Sequence, residues 1–209
     1  MLQTYHRQIC QQALEHHFAP PALEIVIAAN LGQDAPRNQF GHPEYHFDDN
    51  AFEAGNAYLA SQRRIVLDTL QSGEEISLAW QAFGRLTHTA QDFYAHSNYI
   101  RLWADAYPSG ELPEPARVGA LNPEILQDPK LQSGKIYLWD WLAFVPGLYS
   151  LACRLLPDDS HTHMNLDHPG RGPLFPYAFT AAVQRTQHEF EQLAAQMPEE
   201  MQVRFCNGG

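Results

Sequence analysis

The 209-residue chain is expected to be all-α: a single helical domain with long ordered loops. Three observations predict it. Apolar residues recur at helical spacing in five segments. Pro20-Pro21 and Ser72-Gly-Glu-Glu mark breaks between them, and stretches rich in Pro, Gly and Asn read as loops. No segment sustains strand-like alternation, and no internal repeat is visible.

The first helix is expected over residues 3–18, where Ile9, Ala13 and Leu14 recur with His6, Cys10 and His17. Pro20-Pro21 stops it and opens a second helix over 22–31, since proline is tolerated in a first turn. Residues 33–45 carry Gly, Pro, Asn and Asp and read as an irregular loop. Asp48 or Asp49 is placed to cap a long helix running to Leu70, with Phe52, Leu59, Ile65 and Val66 in its stripe. After the Ser72-Gly-Glu-Glu break, another long helix is expected over 75–103. Residues 106–134 lack a period and form a long excursion, of a kind that is often functional in compact domains. Residues 136–156 are strongly apolar, and Trp139, Trp141 and Phe144 read as a core-packing segment, with a flap over a site as the alternative. Residues 157–176 form a second loop dense in His, Asp and Gly, before a last helix over 177–197. Glu74-Glu75 and Glu199-Glu200 read as helix-end and tail charges.

The formal net charge is −11 with His neutral, so broad electrostatic binding of duplex nucleic acid or an anionic membrane is disfavoured. Cys10, Cys153 and Cys206 are odd in number and widely separated, so no disulfide framework follows. There is no secretory n-region and h-region pattern and no membrane-length apolar run. These features predict a chain that is cytoplasmic or exported by another route.

Eleven histidines stand against thirteen Lys plus Arg. His88, Asp92 and His96 fall at i, i+4 and i+8 of a helical segment. At about 100° per residue they share one face. Imidazole nitrogen and carboxylate oxygen are ligands that Zn²⁺ accepts, and a carboxylate can bridge two ions. His6 on the first helix, Asp34 and His46 around the first loop, and His163 and Asp167 in the second loop complete eight candidates. All are N or O donors. His161 and His168 compete with His163; His16, His17, His42 and His188 read as solvent-facing or structural, and Cys10 as a buried packing residue.

The order of these residues, with Tyr45-His46-Phe47-Asp48 and Gln91-Asp92-Phe93-Tyr94-Ala95-His96-Ser97-Asn98, resembles the zinc-dependent phospholipase C and single-strand-specific nuclease superfamily. The phrasing is closest to its heterokaryon-incompatibility (Het-C-like) branch. The resemblance covers residues 4–104 well and 158–190 loosely; 105–157 is an unmatched insertion. It implies two or three Zn²⁺ ions: one held by Asp34, His46, His88 and Asp92, a second by Asp92, His6 and the Met1 amine, and a third by His96, His163 and Asp167. His96 follows Asp92 by four residues where that superfamily has six, so the third ion requires the helix to continue through His96.

The resemblance further implies a metal-dependent phosphoric ester hydrolase, with Asp92 as catalytic bridge and Asp34 as general base toward a metal-activated water. The expected substrate is a phosphate ester of phospholipid type. Single-strand nuclease or nucleotidase activity is the alternative, and a non-catalytic, metal-stabilised interaction or toxicity module is the rival reading. Asp48, Asp49 and Asn98 are candidates to orient the imidazoles.

Overall fold

The structure, a computed structural model, describes residues 1–39, 41–107, 110–140, 145 and 147–208, except for the side chains of Gln39 and Tyr149. Among these residues the regular structure is helical, and the β-type pairings are isolated bridges, Ser97 to Ser133 and Lys135 to Ser160. The all-α expectation holds. No helix among the described residues is long and apolar enough to cross a membrane.

The order is α1 (Gln3–Leu14), α2 (Pro20–Leu31), a 3-10 turn (Gly32–Asp34), α3 (Pro36–Gln39), α4 (Pro43–His46), α5 (Phe52–Ser72), α6 (Ile76–His96) and α7 (Tyr99–Ala104). The chain continues through α8 (Pro123–Leu126), α9 (Tyr149–Leu155), α10 (His161–Met164), α11 (Phe175–Ala194) and α12 (Glu199–Asn207).

The central element is α6, packed among α2, α5 and α11. From Ala79 onward nearly every residue of it is buried, polar ones included. Its approach to α2 requires Gly84: a Cβ there would lie 2.2 Å from the Val26 carbonyl oxygen and 2.7 Å from Ala29 Cβ. The lower half of α6 meets an aromatic cluster of Phe18, Phe83, Phe190 and Phe205. A second cluster, Phe47, Phe52, Phe93, Tyr94 and Tyr99, fixes the end that carries the motif. Burial of such side chains is the main stabilising term, roughly 1.5–3 kcal/mol each.

Several boundaries differ from the sequence reading. The long helix expected over 75–103 is broken at His96. There the Ser97 hydroxyl donates to the Phe93 carbonyl at 2.5 Å, and Asn98 exchanges bonds with Lys130 and Gln132. The first helix ends at Leu14, and a turn carries the chain through Phe18. The helix expected to start at an Asp48 or Asp49 cap starts at Phe52 without a side-chain cap, because both aspartates are engaged elsewhere. Residues 199–207 form α12 rather than a tail. Trp139 is 51% exposed and Leu138 77%, so this part of the apolar segment is not core; Trp141 and Phe144 lie outside the described residues.

Candidate metal centre

Helix α6 continues to His96, so His88, Asp92 and His96 line one face of it and are all buried. Asp92 is the hub. Its Oδ2 lies 3.0 Å from His88 Nε2 and 2.9 Å from His46 Nδ1. Its Oδ1 lies 2.5 Å from the Met1 amine, 3.2 Å from His6 Nε2 and 3.8 Å from His96 Nε2. Asp34 Oδ1 approaches His88 Nε2 at 3.7 Å, and Asp167 Oδ1 lies 3.2 Å from both the Met1 amine and His96 Nε2. The His6 and His88 rings stack at 4.3 Å.

Eight of the residues singled out in the sequence therefore meet here: Met1, His6, Asp34, His46, His88, Asp92, His96 and Asp167. His163 does not. Its Nε2 lies 3.0 Å from the Cys153 carbonyl, on the other side of α10. His161 takes the place beside His96, with ring centroids 4.5 Å apart. The hydroxyl of Ser160 caps α10 at the His163 amide, and the His161 amide donates to the Lys135 carbonyl, which together set the two rings apart. His168 turns back on Gly170, and Asn98 binds the 130–132 segment rather than an imidazole.

The outer nitrogens of His6, His46 and His96 are tied down by acceptors, whereas His88 Nδ1 is buried without a hydrogen-bond partner. His6 Nδ1 lies 2.6 Å from Gln91 Oε1. Gln91 is fixed in that sense because its amide nitrogen donates to Thr186 Oγ1 and Cys10 Sγ. Gln91 went unnoticed in the sequence, although it adjoins the hub. Cys10 is thus an acceptor within this network rather than a ligand, and burial pushes its thiol up to about 11. His46 Nε2 faces the Asn38 carbonyl at 3.3 Å, and His96 Nδ1 the His46 carbonyl at 3.0 Å. A ring that donates from its outer nitrogen presents, when neutral, a lone pair at the inner one.

The electrostatics follow from this crowding. Burial alone would raise the Asp92 carboxyl, but the Met1 ammonium and the imidazoles of His96, His88 and His6 hold it well below the usual range. Burial opposes the Met1 charge as well, yet Asp92, Asp167 and Asp34 push that amine up to about 11. His88 is pushed down to about 4 by burial, and His6 is lowered by burial and by the adjacent ammonium. A neutral His6 leaves Nε2 buried and without a hydrogen-bond partner, although it sits 3.2 Å from a carboxylate oxygen. Orphaned polar atoms of this kind are rare in native interiors.

The donor set fits divalent metal. Two trios, His6–His88–Asp92 and Asp34–His46–His88, each bring one ligand atom per residue within 4.8 Å of one another; so do Asp48, His96 and His161. A cleft of about 230 Å³, lined by Met1, Leu2, Gln3, Asp34, His96, His161 and Asp167, opens onto the centre. A larger cleft of about 710 Å³, lined by Gly32, Gln33, Arg37, Tyr45 and Arg85 among others, contains none of these imidazoles.

Fold and site together define an all-helical domain with a buried histidine–aspartate centre. Residues 3–117, more than half of the chain, match the family described as the VWA7 N-terminal domain, and the chain belongs to that family. It is 36% identical over 81 residues to the rat von Willebrand factor A domain-containing protein 7, 35% to the human and 36% to the mouse protein. That stretch is 39% of this chain and 9% of each relative's length. No solved structure matches.

This membership overturns the resemblance to the phospholipase C and nuclease superfamily and its Het-C-like branch. The hydrolase reading rested on that resemblance. Because the relatives carry no enzyme name, phosphoric ester hydrolysis, whether of phospholipid or nucleic acid, does not carry over to this chain.

Proposed function

We propose that the chain is a divalent-cation-binding helical domain whose metal ions fasten together the segments that converge on α6. The observation that carries this reading is the buried, unpartnered His6 Nε2 facing an ionised Asp92 oxygen. A cation between them removes both the unmade hydrogen bond and the confrontation of lone pairs. Zn²⁺ is the ion best matched to imidazole and carboxylate donors.

Asp34, His46, His88 and Asp92 would hold one ion, and His6, Asp92 and the Met1 amine a second. His96, His161 and Asp167 would hold a third. The Met1 ammonium, between Asp92 and Asp167, stands where positive charge is wanted, and it must lose a proton to become a ligand. When bound, the ions supply positive charge and coordination that hold α1, the 32–46 segment, α6 and the 161–167 loop on one hub. Binding energy of this kind becomes folding energy.

Metal analysis of the purified chain, paired with thermal melts before and after chelation, tests this reading. Two or three Zn²⁺ per chain and a midpoint that falls on chelation are expected. Protein that takes up no divalent cation, with melts indifferent to Zn²⁺, would sink it.

A further inference from the structure

The third cluster holds two possible faces for a cation. One is the inner trio of Asp48, His96 Nδ1 and His161 Nδ1, where Asp48 Oδ1 lies 2.9 Å from His161 and 3.4 Å from His96. The other is the outer face of the same rings, where His96 Nε2 lies 3.2 Å from Asp167 Oδ1 and His161 Nε2 4.0 Å from Asp167 Oδ2. Only the outer face borders the cleft.

Hydrogen bonding decides between them. His96 Nδ1 also lies 3.0 Å from the His46 carbonyl oxygen, which can only accept, so that nitrogen carries the proton. Asp48 accepts likewise from His161. Each ring, once neutral, therefore carries its lone pair at Nε2. We propose that Asp48 is the positioning residue of the third cation: its one carboxylate sets the tautomer of His161 and, together with the His46 carbonyl, holds the Nδ1 side of His96, turning the Nε2 atoms of both rings toward Asp167 and the cleft. This rests on the cation reading above, and is a carboxylate–histidine–metal arrangement in which one carboxylate serves two rings.

The backbone around Asp48 is built to hold that pose. Phe47, Asp49 and Asn50 all have positive φ, at 56°, 54° and 57°, an uncommon region for residues other than glycine. A strap over residues 133–136 keeps them there. The Asp49 amide donates to the Gly134 carbonyl, the Gly134 amide to the His96 carbonyl, and the His161 amide to the Lys135 carbonyl. Asn50 and Ser133 exchange two further bonds, and the Ile136 amide donates to Asp49 Oδ1. The strap thus touches all three carriers of the cluster. It lies outside the family match, which ends at residue 117.

The test combines Zn²⁺ titration of the full chain and of Asp48→Asn with long-range ¹H–¹⁵N spectra of the histidines. Expected in the Zn²⁺-loaded wild type are Nδ1–H and coordinated Nε2 at both His96 and His161. In Asp48→Asn the last equivalent should weaken by about 10- to 100-fold while the earlier ones bind as before. Coordination through Nδ1 of either ring, a wild type that stops at two cations, or full wild-type affinity in the variant overturns the proposal. Should the variant not fold, the wild-type spectra decide alone. A wild type that binds no cation removes the cation reading itself, and this role of Asp48 with it; binding through the wrong nitrogen removes only the role of Asp48.

Discussion

Two of the buried carboxylates, Glu189 and Asp92, have surroundings that differ in kind. Glu189 on α11 receives Arg63 Nε and Nη2 at 2.7 and 2.8 Å and Arg185 Nε at 2.7 Å. Guanidinium groups can only donate, so each contact has one donor and one acceptor, and the cluster is complete. Asp92 on α6 is ringed instead by four imidazoles and an amine, and imidazole nitrogens can face it with a lone pair as readily as with a proton. One of them, His6 Nε2, faces the carboxylate at 3.2 Å without a hydrogen bond. Glu189 closes a structural ion pair, whereas Asp92 gathers the imidazoles and the amine on which the proposed cations depend.

The largest effects should come from removing either carboxylate. In metal-free protein, Asp92→Ala and Glu189→Ala should each cost about 3–5 kcal/mol, because each strands buried positive charge. Denaturant melts measure that common loss. Metal content separates the pair: Glu189→Ala is expected to keep the wild-type stoichiometry, and Asp92→Ala to lose the two ions that share this carboxylate. Equal loss of metal in both variants would erase the distinction drawn between the two clusters.

Acid should separate them more gently. The folded pKa of Glu189 lies below 4.5, because Arg63 and Arg185 outweigh the effect of burial. Its contribution to stability is therefore present above the unfolded value and fades as pH falls through the folded one. His88 is also depressed, from 6.5 to about 4, by burial. Its contribution is full above 6.5 and drains away over that window, a shift equivalent to roughly 3 kcal/mol. His96 runs the other way: Asp92 and Asp48 raise it against burial, so its contribution is full below 6.5 and fades only as pH rises through the folded value. In ¹H–¹⁵N titrations of the metal-free protein, His88 should stay neutral to about pH 4 while His96 stays protonated above 6.5. Co-titration of the two rings would contradict this picture.

How much of this was legible in the sequence follows from what set each residue's place. The triplet on α6 was readable because helical periodicity alone carries it, and His6, Asp34 and His46 because residue type and order sufficed. The choice of His161 over His163 was not readable. Two residues apart in an irregular segment, they are sorted by the Ser160 cap and by the Lys135 carbonyl, which is distant in sequence. The break at Ser97 was hidden for a similar reason: apolar spacing runs on through Tyr99, Ile100 and Trp103, and the interruption comes from hydrogen bonds to 130–132. By contrast, α12 was missed although a signal was present: Glu199-Glu200 reads as tail charge, yet a proline followed by two acidic residues is also the pattern of a helix first turn.

The smallest effect belongs to an ion pair that shares neither property. Arg7 Nη1 alone reaches both oxygens of Glu24, at 3.2 and 3.1 Å, where Glu189 receives three nitrogens at 2.7 to 2.8 Å. Its side chains, however, are 41% and 59% exposed. Water solvates these charges in the folded chain much as in the unfolded one, so Arg7→Ala should cost only about 0–1 kcal/mol. At about 1 M salt, where the screening length is near 3 Å, even that difference should vanish. Urea melts of wild type and Arg7→Ala at low and high salt measure both quantities. A loss matching that of Glu189→Ala would mean that burial does not set the worth of an ion pair here, and the contrast between the two buried carboxylates would then need a different basis.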